Sequence, residues 1–490
     1  MTRSKLLHLL QCLDTRERTR FGQYVHSPFF NKHSEIRLLA DYLLEQAPDY
    51  PEQQLQKQRV AKAIFQEEDY DEDHFNNLIS DLLKLLYSFL AYQQYETDPQ
   101  LEKQLLIREL FAKDNYLHVE RVTRRYQQLQ KKAMHHSYAF YLQDYHLHEA
   151  LDQLELSKNQ RRYNEHLQQQ SDQLDRYYFI NKLRLACDMS SRNTVIQATY
   201  HCHFLEEIRA FCSSNKDLLQ VPVLSVYFHT LQMLENRESP RFYHQLKQDL
   251  KNYGDQFPAE ELRTLYNYAL NYCIQKINSG SNAFYRETLE LYQTMLDAEI
   301  IFVNGYLTQW SYKNIITTGI RLHAFDWTEQ FIHDYKSRLL PEEQTNAVAY
   351  NLASLHYAKG DYTKALRQLH DVEFTDPSYH LGAKIIQLKS YYELDEEEPF
   401  FSLIEAFKKY LQRNRQISDY RKKANLHFLK LAKLIFKFKT GQPYWRPSQI
   451  KQKYLQIQEK LENWEPVANK HWLEEILEQL NTEQGITNAD

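Results

Sequence analysis

The chain has 490 residues, 42% apolar and 26% charged, a balance typical of a folded protein and not of a disordered one. It contains only 9 glycines and 13 prolines, far below the usual frequencies of about 7% and 5%. Because β-rich and α/β proteins need these residues for their many turns, the composition argues against both classes and predicts an all-α fold. The net charge of −5 gives no overall attraction to nucleic acid or to membranes.

The cysteines and the first residues indicate a compartment. Five cysteines are scattered along the chain without CxxC spacing, an odd number that suits a reducing cytosol. The first twenty residues run into Arg16, Arg18 and Arg20, which is wrong for a signal peptide. No window approaches the apolar length of a membrane span. The sequence therefore predicts a cytoplasmic protein.

Residues 1–97 are predicted to form an N-terminal helical domain. Asp14 with Glu17 has the spacing of a capping box that opens a helix, and Ser27-Pro28 would end this helix. Ser34 is predicted to cap the next helix, over residues 35–46. The segment 27–32, Ser-Pro-Phe-Phe-Asn-Lys, is similar to one shared by a group of uncharacterised bacterial proteins. This resemblance implies no activity.

Residues 98–215 are nearly free of glycine and proline and predict a segment of long helices, with one helix over 117–156 and another over 164–188. The most metal-like cluster of the chain is His201-Cys202-His203. Cys212 follows on what should be the same helix, and no further ligand has a suitable spacing. We therefore predict a structural or surface role for this cluster and no metal.

Residues 216–440 show alternating breaks every 15 to 25 residues or so, the rhythm of helix–turn–helix repeats. Within 347–377 the small, turn and proline positions have a recognisable spacing: Leu352, Ala353, Gly360-Asp361-Tyr362, Ala365, Leu369 and Pro377. This unit resembles a tetratricopeptide repeat, and the resemblance extends over about 305–412. It implies a right-handed α-solenoid of helix pairs. Residues 441–490 are then predicted to be C-terminal capping helices.

Catalytic motifs are absent from the sequence. The nine glycines allow neither a GxGxxG nor a P-loop motif, and no HExxH, GxSxG or EF-hand pattern occurs. We predict that the chain is not an enzyme and that it has no cofactor and no metal site.

A first candidate binding surface follows from the tetratricopeptide resemblance. Peptide clamps of this family use asparagine and basic residues on the concave face of the first helix, and Asn351 matches one such position. The basic partners are missing, because Ile315, Gly319 and Ile386 stand at the corresponding places. The predicted concave face consists of Tyr350, Asn351, Ser354 and Tyr357.

A second candidate surface is the basic segment 405–453. It contains fourteen basic residues against only Glu405 and Asp419, with aromatic residues interleaved. Such a composition suits an acidic protein or nucleic acid. It also suits a solvated helix face that the acidic residues of 459–483 neutralise. The predicted contact residues are Lys422, Lys423, Lys430, Lys433 and Lys437.

The leading interpretation is a non-enzymatic interaction scaffold that binds a protein partner through the solenoid face and the basic segment. The alternative is a nucleic-acid-associated regulator that uses the N-terminal helical domain and the basic segment 405–453. For this alternative, residues 55–92 would form a helix-turn-helix, with Val60, Ala61 and Ile64 on one helix and residues 76–84 on the next.

Overall fold

A computed structural model describes residues 4–65, 70–158, 163–193, 200–215, 217–370, 372, 374 and 376–484. Helices make up 80% of the structure. Within the described residues no β-strand occurs, and the one β-bridge, between Val303 and Tyr306, is isolated. The predicted all-α class is confirmed.

The described residues contain 23 α-helices. Their bounds are α1 Lys5–Gln11, α2 Thr15–His26, α3 Ser34–Glu45, α4 Lys57–Phe65, α5 Glu72–Thr97, α6 Pro99–Ala112, α7 Tyr116–Lys131, α8 Tyr138–Ser157, α9 Glu165–Asn193, α10 Leu205–Ser214, α11 Pro222–Glu235, α12 Arg241–Tyr253, α13 Ala259–Asn278, α14 Phe284–Asp297, α15 Gln309–Arg321, α16 Phe325–Tyr335, α17 Pro341–Ala358, α18 Tyr362–Leu369, α19 Pro377–Glu393, α20 Glu397–Arg413, α21 Asp419–Gly441, α22 Pro447–Asn463 and α23 Lys470–Gln484.

The N-terminal helices begin largely where the sequence predicts. The capping box is formed: Asp14 Oδ1 accepts from the Glu17 backbone N–H at 2.7 Å, and Glu17 Oε2 accepts from the Asp14 N–H at 2.9 Å. The prediction that Ser34 caps α3 is wrong by one residue. His33 holds the cap position without a side-chain hydrogen bond, and Ser34 is already helical. Helices α1 to α5 share one core, in which Phe21, Phe75 and Leu82 are fully buried.

The prediction of one helix over 117–156 is wrong, because α7 ends at Lys131 and α8 begins at Tyr138. Two hydrogen bonds join the pair. Gln130 Nε2 donates to the Phe140 carbonyl at 2.9 Å, and the Tyr126 hydroxyl donates to the Gln143 carbonyl at 2.9 Å. A continuous helix would have placed these partners far apart along its axis, so the turn creates the small core of α6, α7 and α8. The helix predicted over 164–188 is present as α9.

The chain divides into two compact units. The first comprises Met1–Leu185 and Cys202–Leu224, and the second comprises Ala186–His201 and Ser225–Asp490, as far as these ranges are described. The finer division at residues 97, 215 and 440 stays a prediction.

In the second unit, consecutive helices pack in pairs and the pairs contact one another in chain order. α17 packs against α18, and it also contacts α15 before it and α19 after it. Gly360 has a φ of +81° in the turn after α17, a conformation that favours glycine. Ala353 and Ala365 are both 0% exposed in one cluster. These two small residues of the predicted repeat therefore lie where α17 and α18 approach each other.

Candidate interaction surfaces

The five predicted lysines lie on one face of α21. Lys422, Lys423, Lys430, Lys433 and Lys437 are spaced at 1, 7, 3 and 4 residues, which places them within about a third of the helix circumference. Lys423, Lys430 and Lys437 are exposed, and Lys422 and Lys433 are half-buried. We call these five residues the α21 lysine face.

The opposite side of α21 is the core of this part of the chain. Phe428, Leu429, Ala432, Ile435 and Phe436 are fully buried there. Of the eight aromatic residues interleaved in segment 405–453, four are buried and two half-buried, so that only Tyr420 and Tyr444 are exposed, at 71% and 87%. Most of these rings are packing residues and cannot stack on a ligand.

Ion pairs occur at the edges of this surface. Lys422 lies 3.8 Å from Asp419, and Lys433 lies 3.2 Å from Glu405. The three exposed lysines of the face have no carboxylate partner among the described residues; Lys430 contacts only the Trp464 ring, with Nζ 5.8 Å from its centre. The glutamates of 459–482 also form no ion pair with the face in the described chain. The three exposed lysines thus keep their positive charge.

The predicted concave face on α17 is largely covered. Asn351 is 1% exposed and donates from Nδ2 to the Ala347 carbonyl at 2.8 Å. The Tyr350 ring packs edge-on to Tyr379, with centres 4.9 Å apart, over Gly382. Ser354 Oγ donates to the Tyr350 carbonyl at 2.9 Å. These side chains are committed to contacts within the chain.

Tyr357, the fourth residue, belongs to a polar cluster that sequence inspection missed. The Tyr357 hydroxyl and the Trp472 indole lie near the Glu393 carboxylate of α19, and polar interactions with both favour its charged form. Lys389 Nζ lies 5.1 Å from the centre of the Trp472 ring, and Tyr392 packs edge-on against this ring at 5.3 Å. α23 therefore places Trp472 against residues of α17 and α19. No local pattern predicts contacts between residues this far apart in sequence.

Burial shifts the titration of this cluster. It lowers the pKa of Lys389 from 10.5 to about 8, with the nearby Arg321 acting in the same direction. It raises the pKa of Glu393 and, to a larger extent, that of Tyr357. In each case burial disfavours the charged form.

The cluster His201-Cys202-His203 lies before α10, so the prediction that Cys202 and Cys212 share a helix is wrong. Phe204, with a φ of 64°, separates the two parts. Cys212 is buried, and burial raises the pKa of its thiol to about 11. Over the described part of the chain, no group of three potential metal ligands comes together.

A Ser–His–Asp grouping occurs at Ser225, His229 and Asp249. Asp249 Oδ2 lies 2.5 Å from His229 Nδ1, and Ser225 Oγ lies 3.4 Å from the same nitrogen. A hydrolytic triad needs the serine and the aspartate on opposite ring nitrogens. This grouping is therefore a hydrogen bond between a half-buried histidine and a buried aspartate with a neighbouring hydroxyl, and its geometry is not that of a nucleophile and base.

The candidate helix-turn-helix corresponds to α4 and α5. Val60, Ala61 and Ile64 are buried in the N-terminal core. Lys57 at the start of α4 pairs with Glu72 at 2.9 Å. The connection between these helices includes residues 66–69, which lie outside the described residues.

None of the helices in the described chain combines the length and the apolar character that crossing a membrane requires. Comparison of the chain with protein-family models, curated proteins and solved structures found no match.

Proposed function

We propose that the chain is a non-enzymatic interaction protein of the cytoplasm that binds an acidic protein partner on the α21 lysine face. The observation that carries this proposal is the row of exposed lysines 423, 430 and 437, for which the described chain provides no carboxylate. Unpaired surface cations attract an acidic partner and speed its association. The half-buried Lys422 and Lys433 are already paired and would contribute less.

The helix pairs provide the scaffold in this proposal. A tetratricopeptide-like, right-handed solenoid would hold α21 rigidly, because each of its pairs packs on the next. Since Asn351 is buried, Ser354 bonds to the Tyr350 carbonyl and Tyr357 lies near Trp472 of α23, the α17 face has few groups left for a partner. The lysine face is the more accessible of the two surfaces.

Replacing Lys423, Lys430 and Lys437 by Gln tests the proposal. Partners captured by the tagged wild-type protein in its native cell should be lost from the variant, and their binding should weaken with salt. The free energy of unfolding should change by less than about 0.5 kcal/mol, since all three side chains are exposed. The matched control replaces three exposed lysines of the same unit, Lys251, Lys336 and Lys460, by Gln and so changes the net charge equally. Equal binding by wild type, variant and control, at low and high salt, would contradict the proposal.

Nucleic acid is the second candidate partner. Tyr420 and Tyr444 are exposed near the two ends of α21 and would allow base stacking beside the lysines. In this case the purified protein should carry nucleic acid, visible in its ratio of absorbance at 260 and 280 nm. The logarithm of the affinity should fall against that of the salt concentration with a slope of roughly −0.9 per neutralised phosphate on duplex DNA.

A further inference from the structure

The outer face of α9 carries a row of exposed apolar side chains. Its members are Leu167, Leu174, Tyr178 and Leu185, with exposed fractions of 60%, 45%, 39% and 40%. The opposite side of the helix is buried, with Ile180 and Leu183 at 0%. Aligned apolar residues on a helix surface mark an interaction site more often than isolated ones do. We call these four residues the α9 row.

The spacing of the α9 row is that of a coiled-coil seam. Its members follow one another at intervals of 7, 4 and 7 residues, which correspond to a and d positions of the heptad. Ser171 and Asn181 fill the two remaining a and d positions. The seam is about 27 Å long at 1.5 Å per residue.

The pattern of apolar and polar residues in the seam is symmetric about residue 176. In an antiparallel pair centred on residue 176, Leu167 lies opposite Leu185 of the second copy, and Leu174 lies opposite its Tyr178. The two polar positions also match, because Ser171 lies opposite Asn181. Apolar residues thus meet apolar residues, and a polar pair can fix the register. A parallel pair would instead place Ser171 on Ser171 and Asn181 on Asn181.

The charges of α9 are divided in the same sense. The half before residue 176 carries Glu165 and Asp172, and the half after it carries Lys182 and Arg184, with Asp188 as its one carboxylate. Neither Glu165 nor Asp172 forms an ion pair within the described chain. Antiparallel pairing brings the acidic half of one copy to the basic half of the other, whereas parallel pairing brings like charges together.

We propose that the α9 row is a self-association surface on which two copies of the chain pair antiparallel about residue 176. The seam covers apolar side chains that are otherwise exposed to water, which favours association. Because it is short, we expect a dimer with a dissociation constant in the micromolar range.

Sedimentation equilibrium of the full chain over a range of concentrations tests self-association. The wild type should be a dimer at tens of micromolar and dissociate on dilution. Leu174→Glu and Tyr178→Glu should each raise the dissociation constant more than about 100-fold, because each places two charges in the seam. Leu106→Glu on α6 and Leu117→Glu on α7 are matched controls, since these leucines are 38% and 77% exposed in the same unit. A monomeric wild type, or a dimer that both seam variants leave intact, would overturn the proposal.

Spin labels test the orientation. Cys12 is exposed and Cys202 half-buried, so both are first replaced by Ser, and one cysteine is then introduced at Gln168 or at Asp175. In the antiparallel pair, the two labels at 168 are offset by about 24 Å along the seam, and those at 175 by only about 3 Å. A clearly longer distance at 168 than at 175 supports the proposal. Equal distances at the two positions would show a parallel pair and overturn it.

Discussion

At the scale of the residue, burial of the charged Lys389 side chain lowers the stability of the folded chain. Its ammonium group is largely withdrawn from water beneath Trp472, and its pKa of about 8 reflects the cost of keeping the charge there. The cation–π contact and the nearby Glu393 and Glu475 offset this cost only in part.

We therefore expect Lys389→Met to raise the free energy of unfolding at pH 7 by about 1 kcal/mol, since methionine fills a similar volume without a charge. The sign of the pH dependence follows from linkage. Between pH 8 and 10.5 the native wild type has lost its proton while the unfolded chain still binds one, so the wild type gains stability as the pH rises. Urea unfolding at pH 7 and pH 9.5 should show the difference between variant and wild type shrinking.

Lys364→Met provides the control, because Lys364 is exposed on α18 beside Asp361. Its difference from the wild type should stay constant between the two pH values. A constant difference for Lys389→Met as well would mean that the Lys389 ammonium is solvated in both states.

Asn351 illustrates what the sequence could not predict at the scale of a residue. Its position on α17 follows from the repeat motif, but its burial depends on packing against neighbouring helices. The same holds for Tyr357, whose hydroxyl meets Glu393 and lies near Trp472, more than a hundred positions away. Local periodicity carries no information about such distant partners.

At the scale of the element, α17 and α18 pack too closely at Ala353 and Ala365 to accommodate a larger side chain. Ala353→Leu or Ala365→Leu should lower the free energy of unfolding by about 1–3 kcal/mol, because each alanine is fully buried where the helices meet. Thermal unfolding measures the effect. Ala358→Leu, at the exposed end of α17, should change it little. Unchanged melting of both core variants would show that this contact is looser than the structure describes.

Helix boundaries were predictable where a residue type enforces them. Asp14 with Glu17, Gly360 and Pro377 each mark an end through a cap, a positive φ or a missing donor, and each lies at a boundary in the structure. The break between α7 and α8 contains neither glycine nor proline: residues 132–137 are Lys-Ala-Met-His-His-Ser. Tertiary hydrogen bonds across the turn stabilise this break, and composition does not reveal them.

At the scale of the whole molecule, the two compact units have separate cores and should unfold in separate steps. Trp472→Ala should cost about 3–5 kcal/mol and lower only the transition of the second unit, by roughly 5–10 °C. Leu82→Ala, in the core of the first unit, should shift only the other transition. Calorimetry of both variants distinguishes this from one shared transition that moves in both.

The all-α class was predictable from composition, because scarce glycine and proline act on the whole chain at once. The α21 lysine face was also predictable, since helical periodicity brings its five residues together without tertiary information. Their ion pairs were not, because Glu405 belongs to another helix. The α9 row illustrates the reverse case: its 7-4-7 spacing is visible in the sequence, but only the exposed fractions show that it faces solvent.

The close contact between Gly382 and Tyr350 means that substitutions at these two positions should be correlated during evolution. A Cβ atom at residue 382 would lie 2.6 Å from Tyr350 Cε2, so alanine there is incompatible with the ring in its present place. A descendant of this chain that gains a side chain at 382 should therefore carry a smaller residue at 350. When diverged sequences of this protein are aligned, paired substitution at these two positions would be the expected sign that α17 and α19 still pack in this way.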